Sequence, residues 1–241
     1  MSIDPDSPPP RRPLPPRPAS GRPAVGPGSV PGPIWLLVGI CAAIELALTA
    51  ADNGLIGAPD WRQWAVAYGG FHTPLISGSW APLFEGQRWT MFLTHAFLHG
   101  DLMHMVMNMV VVLALGKLLS GIIGPWRTVA TFLVTAVGGG AVFALLNTSG
   151  APMVGASGAA FGFIGVWKYA EWYGRRQAGA PLQPLLASLG ALVIANVAIW
   201  FYLEGLLAWE AHLGGFVTGW AMGWMWRITA PDAGRPAAPP A

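Results

Sequence analysis

Residues 211–223 read AHLGGFVTGWAMG, with Gly215, Gly219 and Gly223 at four-residue intervals and His212 at the front of the run. Four residues is close to one helical turn, so these glycines share one face. GASGAAFGFIG, at residues 155–165, follows the same plan: Gly158, Gly162 and Gly165 form a small-residue face, and Ser157 sits on its edge where a helix would start. Two glycine-faced helices can approach backbone to backbone, a contact typical of helices packed in a bilayer. Such a contact would let Ser157 meet His212.

The rest of the chain supports a membrane setting. Its 241 residues are 54% hydrophobic and 10% charged, with 13 Trp, and the mean hydropathy is +0.49. That is more apolar surface than one soluble core of this size would hide. A disordered chain, a disulfide scaffold and a water-soluble enzyme are therefore disfavoured. The single cysteine, Cys41, excludes an intramolecular disulfide and a thiolate zinc site. The net charge is +2, but the basic residues form no stripe with interleaved aromatics, so no nucleic-acid partner is expected.

Six apolar runs, at residues 34–51, 102–119, 126–146, 157–172, 185–203 and 211–226, approach the roughly 20 residues needed for one bilayer crossing. The expected fold is all-α, a polytopic bundle of six transmembrane helices over residues 34–228, with a long outer loop at 52–92. Within that loop Trp61, Trp64, Tyr68, Phe71, Trp80 and Phe84 are interspersed with Gly, Pro and charges, which suits a segment lying in the interface. Residues 1–33 and 229–241 are Pro-rich without apolar periodicity and read as disordered tails. The first apolar run begins only at Ile34, too far in for a secretory signal peptide, and is expected to be retained.

Lysine and arginine placement sets the orientation. With the N-terminus inside, all of the 13 basic residues except Arg62 and Arg88 fall on the inner side, as the positive-inside rule requires. Both termini are thus expected in the cytoplasm. Arginine outnumbers lysine and Ala, Gly and Pro are abundant, which suggests a GC-rich bacterial genome and hence the plasma (inner) membrane.

Strongly polar side chains inside a span cost about 2–4 kcal/mol each on insertion scales, so those that remain usually face a cavity or a partner. They gather here in three clusters. Besides the two glycine stretches there is THAFLHGDLMHMVMN, carrying His95, His99, Asp101, His104 and Asn108. His104 and Asn108 are four apart and share a helix face. His212 alone would suggest a structural hydrogen bond or a metal ligand. No carboxylate within a span is placed to complete a metal shell, so neither metal nor cofactor is expected. Together the clusters supply an acyl-transfer site: Ser157 as nucleophile, His212 as general base and acid, and His104, Asn108 and the Ser157 backbone N–H as oxyanion donors. No acidic third member stands out. Glu204 and Glu210 fall in the outer turn and are expected to stay solvated, so a dyad is the simpler reading.

From about residue 85 to 227 the chain resembles the rhomboid intramembrane serine proteases of the six-helix bacterial type, on HGDLMHMVMN, GASG and AHLGGFVTG in that order. The resemblance implies a Ser157–His212 dyad, oxyanion contacts from His104 and Asn108, and supporting roles for His99, Gly155 and Phe161. It also implies that the outer loop lies partly in the membrane and that the fifth long helix, with Trp200 and Phe201, flanks substrate entry. Two positions depart from the family pattern. Phe161 stands where a tyrosine often packs on the catalytic histidine, and Arg88-Trp89 reverses a frequent Trp-Arg pair.

The partners implied are the lipid bilayer and single-pass membrane proteins with Gly, Ala or Pro near the outer ends of their spans. The alternative is a catalytically silent rhomboid-like protein that binds transmembrane helices; its signature would be loss of Ser157 or His212, and both are present. A small transporter has less support, because the polar groups gather at one end. The small-residue faces are used within the fold and leave the oligomeric state undetermined.

Overall fold

The structure, a computed structural model, describes residues 29–226. Residues 1–28 and 227–241 lie outside the described residues, and with them most of the Pro-rich segments 1–33 and 229–241 read above as tails; of the former, Gly32 and Pro33 already belong to the first helix. In chain order the helices are α1 (Gly32–Asp52), α2 (Trp61–Gly69), α3 (Thr73–Ser77), α4 (Gln87–Thr94), α5 (Leu102–Ile123), α6 (Pro125–Leu146), α7 (Ser157–Gln177), α8 (Gln183–Tyr202) and α9 (Trp209–Met225). A single 3₁₀ turn, His95–Phe97, joins α4 to the approach of α5. Each of the six apolar runs lies on one long helix.

Helices α1, α5, α6 and α8 are long and apolar enough to cross a membrane. The other two long helices differ for a physical reason. Helix α7 carries Lys168, Glu171, Arg175 and Arg176 in its second half, and α9 has only 17 residues. Helix α7 buries ten of its residues among its neighbours, whereas α9 is mostly apolar and falls short in length.

The glycines account for the way they pack. A Cβ at Gly215 or Gly219 would overlap the carbonyl oxygen of Gly158 or Gly162, and one at Gly165 would overlap that of Phe216. The α7 and α9 backbones therefore touch directly, as their four-residue spacing predicts, and Gly223 lies against the Tyr169 ring. Helix α6 joins through Gly138, Gly139 and Gly140, which face Thr218, Ala211 and Phe71 respectively. Helix α8 contrasts with this centre: Leu185 is its one buried residue.

The 52–92 segment is not an extended loop. Its backbone groups are partly satisfied in α2, α3 and the start of α4, with left-handed turns at Gly78 and Gly86 separating the pieces. Arg62 on α2 fastens it to the bundle. Its guanidinium donates to Glu45 Oε1 at 2.8 Å, to Asp52 Oδ2 at 2.7 Å and to the His99 carbonyl at 2.9 Å. Hydrogen bonding to Glu45, then to Asp52, raises the pKa of this guanidinium above its ordinary value. Glu45 is wholly buried within α1, a carboxylate inside a span. Its charge is tolerated because Arg62 reaches it from the neighbouring segment. Arg88 and Trp89 both lie exposed on α4.

Candidate active site

Ser157 is the first residue of α7, where backbone N–H groups have no partner within the helix. The stretch of chain before it is held from outside. Phe71 and Met153 exchange both backbone hydrogen bonds at 2.9 Å, the Gly155 N–H donates to the His95 carbonyl at 2.9 Å, and the Ala156 N–H donates to His99 Nε2 at 3.5 Å. Both of these histidines precede α5 and are buried. Burial pushes the His95 pKa down to about 4 and that of His99 to about 3, which keeps the imidazoles neutral and leaves His99 a lone pair to offer Ala156.

Gly155 adopts φ +124°, a conformation that residues with side chains rarely take. A Cβ there would also lie 2.8 Å from His104 Nε2 and 3.9 Å from Ser157 Oγ. The two groups therefore converge on this bare backbone. Asp101 caps α5 by accepting from the His104 N–H at 2.8 Å. The His104 ring accepts from the Gly100 N–H at Nδ1, at 3.4 Å, which leaves Nε2–H as the donor on the Gly155 side. His99 and His104 meet edge to face with centroids 5.2 Å apart. Asn108 Nδ2 donates to the His104 carbonyl at 2.9 Å, leaving one of its two N–H groups for another acceptor.

His212 stands in the first turn of α9, next to Ala211, whose carbonyl packs against Gly158. Phe161, one turn beyond Ser157, lies flat on the imidazole with centroids 4.1 Å apart. On the other edge, Nδ1 is 2.9 Å from Oδ1 of Asn196 on α8. Nε2 is buried and has no hydrogen-bond partner among the described residues. Ser157 and His212 thus share the α7–α9 contact without a hydrogen bond between them. Beside them a cavity of ≈ 610 Å³ opens between α8 and α9, lined by Phe161, Asn196, Trp200, Phe201, His212 and Phe216 among others.

One sequence expectation changes here, and one residue is new. Glu210 is buried, not solvated: its Oε1 accepts from Asn147 Nδ2 at 3.2 Å, tying the start of α9 to the end of α6. Asn196, unnoticed in the sequence, is the one strongly polar side chain between Ser188 and Glu204. Its isolation in an apolar run was the available signal. Nothing local told which residue it would meet.

Comparison with known proteins agrees with this architecture. The profile of the Rhomboid domain matches residues 85–228. The chain is 28% identical over 145 residues to RHOMBOID-like protein 5 of Arabidopsis thaliana, covering 58% of this chain and 45% of that protein. It is 26% identical over 202 residues to Rhomboid-like protease 1 of Toxoplasma gondii, covering 82% and 61%. With Rhomboid protease GlpG of Salmonella paratyphi A the identity is 27% over 202 residues, covering 83% and 65%. In each pair the match spans less than two thirds of the relative's own length. The chain belongs to the rhomboid family and is a multi-pass membrane protein.

Proposed function

We propose that this protein is an intramembrane serine endopeptidase of the six-helix type, cleaving single-pass membrane proteins near the outer face of a bacterial plasma membrane with both termini in the cytoplasm. The observation that carries the reading is the convergence of Ser157 Oγ and His104 Nε2 on Gly155, beside the α9 turn that bears His212. Ser157 Oγ attacks the scissile carbonyl carbon while His212 Nε2 takes the hydroxyl proton. Negative charge passes to the carbonyl oxygen, where the Ser157 backbone N–H, His104 Nε2–H and the second Asn108 N–H serve as donors; losing one such donor typically costs about 10²–10³ in rate. The imidazolium returns its proton to the leaving amine, and water activated by the same histidine then hydrolyses the acyl-enzyme.

The α8–α9 cavity suits a substrate arriving sideways from lipid. Helix α8 is scarcely packed and its inner wall is apolar and aromatic. A helical substrate must unwind to present a carbonyl, since lipid offers no replacement hydrogen bonds, which favours Gly, Ala or Pro near the cleavage point. Charge placement supports the orientation, with Arg175 and Arg176 in the last turn of α7, opposite the Ser157 end. The test is labelling of the purified protein in detergent with a fluorescent fluorophosphonate, beside Ser157→Ala and His212→Ala. Labelling confined to the unmutated protein is expected. If it labels no better than Ser157→Ala while a known rhomboid labels alongside, helix binding without catalysis becomes the reading.

A further inference from the structure

We propose that Asn196 is a positioning residue for His212, supplying from α8 the third member that the dyad otherwise lacks. The inference rests on the serine-protease reading. Its basis is the 2.9 Å contact between Asn196 Oδ1 and His212 Nδ1. An amide oxygen only accepts, so the proton of a neutral His212 sits on Nδ1 and the lone pair is left on Nε2. That is the tautomer a general base facing Ser157 requires. Phe161 restrains the ring plane and Asn196 fixes which edge faces α8, while Nε2 remains buried and unpartnered among the described residues.

The helix that supplies Asn196 gives the arrangement a further consequence. Asn196 also lines the cavity between α8 and α9, and α8 has one buried residue, Leu185. Any outward shift of α8 that widens the cavity separates Asn196 from His212. The base is therefore held in its productive tautomer when α8 sits against α9, and is released from that restraint when the wall moves away. The titratable groups near His212 are His104 on α5 and Glu210 on its own helix, the latter engaged with Asn147. No carboxylate is hydrogen-bonded to the ring among the described residues.

The test uses the full-length protein in detergent with Asn196→Leu and Asn196→Asp. The leucine keeps the bulk of the cavity wall and removes the acceptor; the aspartate keeps an acceptor and adds charge. With a small fluorophosphonate, Asn196→Leu should label at least about tenfold more slowly. Asn196→Asp should stay within a few-fold of the unmutated rate on the plateau, with the acid limb of its pH–rate profile moved to higher pH because the carboxylate stabilises the imidazolium. That movement reports that residue 196 faces the imidazole, and the labelling rate of Asn196→Leu and the tautomer carry the positioning role. Wild-type-like labelling of Asn196→Leu, or an unmoved acid limb in Asn196→Asp, overturns the proposal. ¹⁵N spectra of histidine-labelled protein read the tautomer without catalysis: Nδ1–H is expected for His212, and mixed tautomers in Asn196→Leu. A His212 proton on Nε2 in the unmutated protein sinks the inference even if Ser157 proves reactive, whereas failure of Ser157 labelling alone sinks the protease reading.

Discussion

Phe161 lies flat against His212, with ring centroids 4.1 Å apart and planes 8° from parallel. The stack restrains the imidazole plane at the point where α7 and α9 touch through Gly158 and Ala211. Where many rhomboids are expected to place a tyrosine, the ring alone is retained, so the contact is purely one of faces.

Phe161→Leu should keep the apolar volume and lose the stack. Aromatic pairs add about 0.5–1.5 kcal/mol beyond area burial, so fluorophosphonate labelling of Ser157 should slow about 2–10-fold. Phe161→Tyr should remain close to the unmutated rate. An unaltered rate in Phe161→Leu would show that the ring is held by other contacts.

Gly155→Ala addresses the other wall of the site. The substitution meets an unfavourable φ of +124° and places Cβ 2.8 Å from His104 Nε2. Displacing His104 removes an oxyanion donor, which predicts a loss of about 10²–10³ in labelling rate. The thermal midpoint in detergent should fall by only a few degrees, since the residue lies in the loop before α7. Equal loss of fold and activity would point to a general collapse instead.

Glu45→Ala leaves Arg62 without its main partner and should destabilise by about 3 kcal/mol, the cost typical of breaking a buried pair. The double substitution Glu45→Met with Arg62→Met should recover part of that loss, because both charges disappear together. Thermal unfolding in one detergent measures both. If Glu45→Ala unfolds at the unmutated temperature, the ion pair is not what holds α2 against α1.

Acid should weaken the fold through His95 and His99. Their folded pKa values lie below the ordinary 6.5, at about 4 and about 3, because burial disfavours the charged ring. The unfolded chain then binds more protons, so their contribution is fully present above pH 6.5 and is lost as pH falls toward those values. The melting temperature should decline over that interval. His95→Asn, whose amide can still donate to the Met91 carbonyl that His95 Nδ1 now meets at 2.8 Å, should show a shallower decline; an identical slope would place the effect elsewhere.

Orientation is testable with one thiol probe. Cys41 is the single cysteine and is buried, so a membrane-impermeant maleimide meets little background. Ser149→Cys and Gln177→Cys occupy exposed positions at opposite ends of the bundle. In intact cells Ser149→Cys should label and Gln177→Cys should label only after lysis. The reverse pattern would invert the topology.

The long helices and the backbone-to-backbone seam were legible in the sequence, because both depend on local periodicity. Apolar runs mark where chain can be helical in lipid, and glycines at four-residue spacing mark which face must be bare. His104, Asn108, Ser157 and His212 stood out for a related reason: a polar group within an apolar helix costs too much to be kept without a partner or a cavity. The pairings between distant segments came from the tertiary structure alone. Glu45 meets Arg62, Glu210 meets Asn147, Phe71 meets Met153, and Asn196 meets His212. Each is one hydrogen-bonding group opposite another, with no repeat to announce it. A buried polar atom declares that it needs a partner, and only the packing of α1, α6, α8 and α9 determines which one it receives.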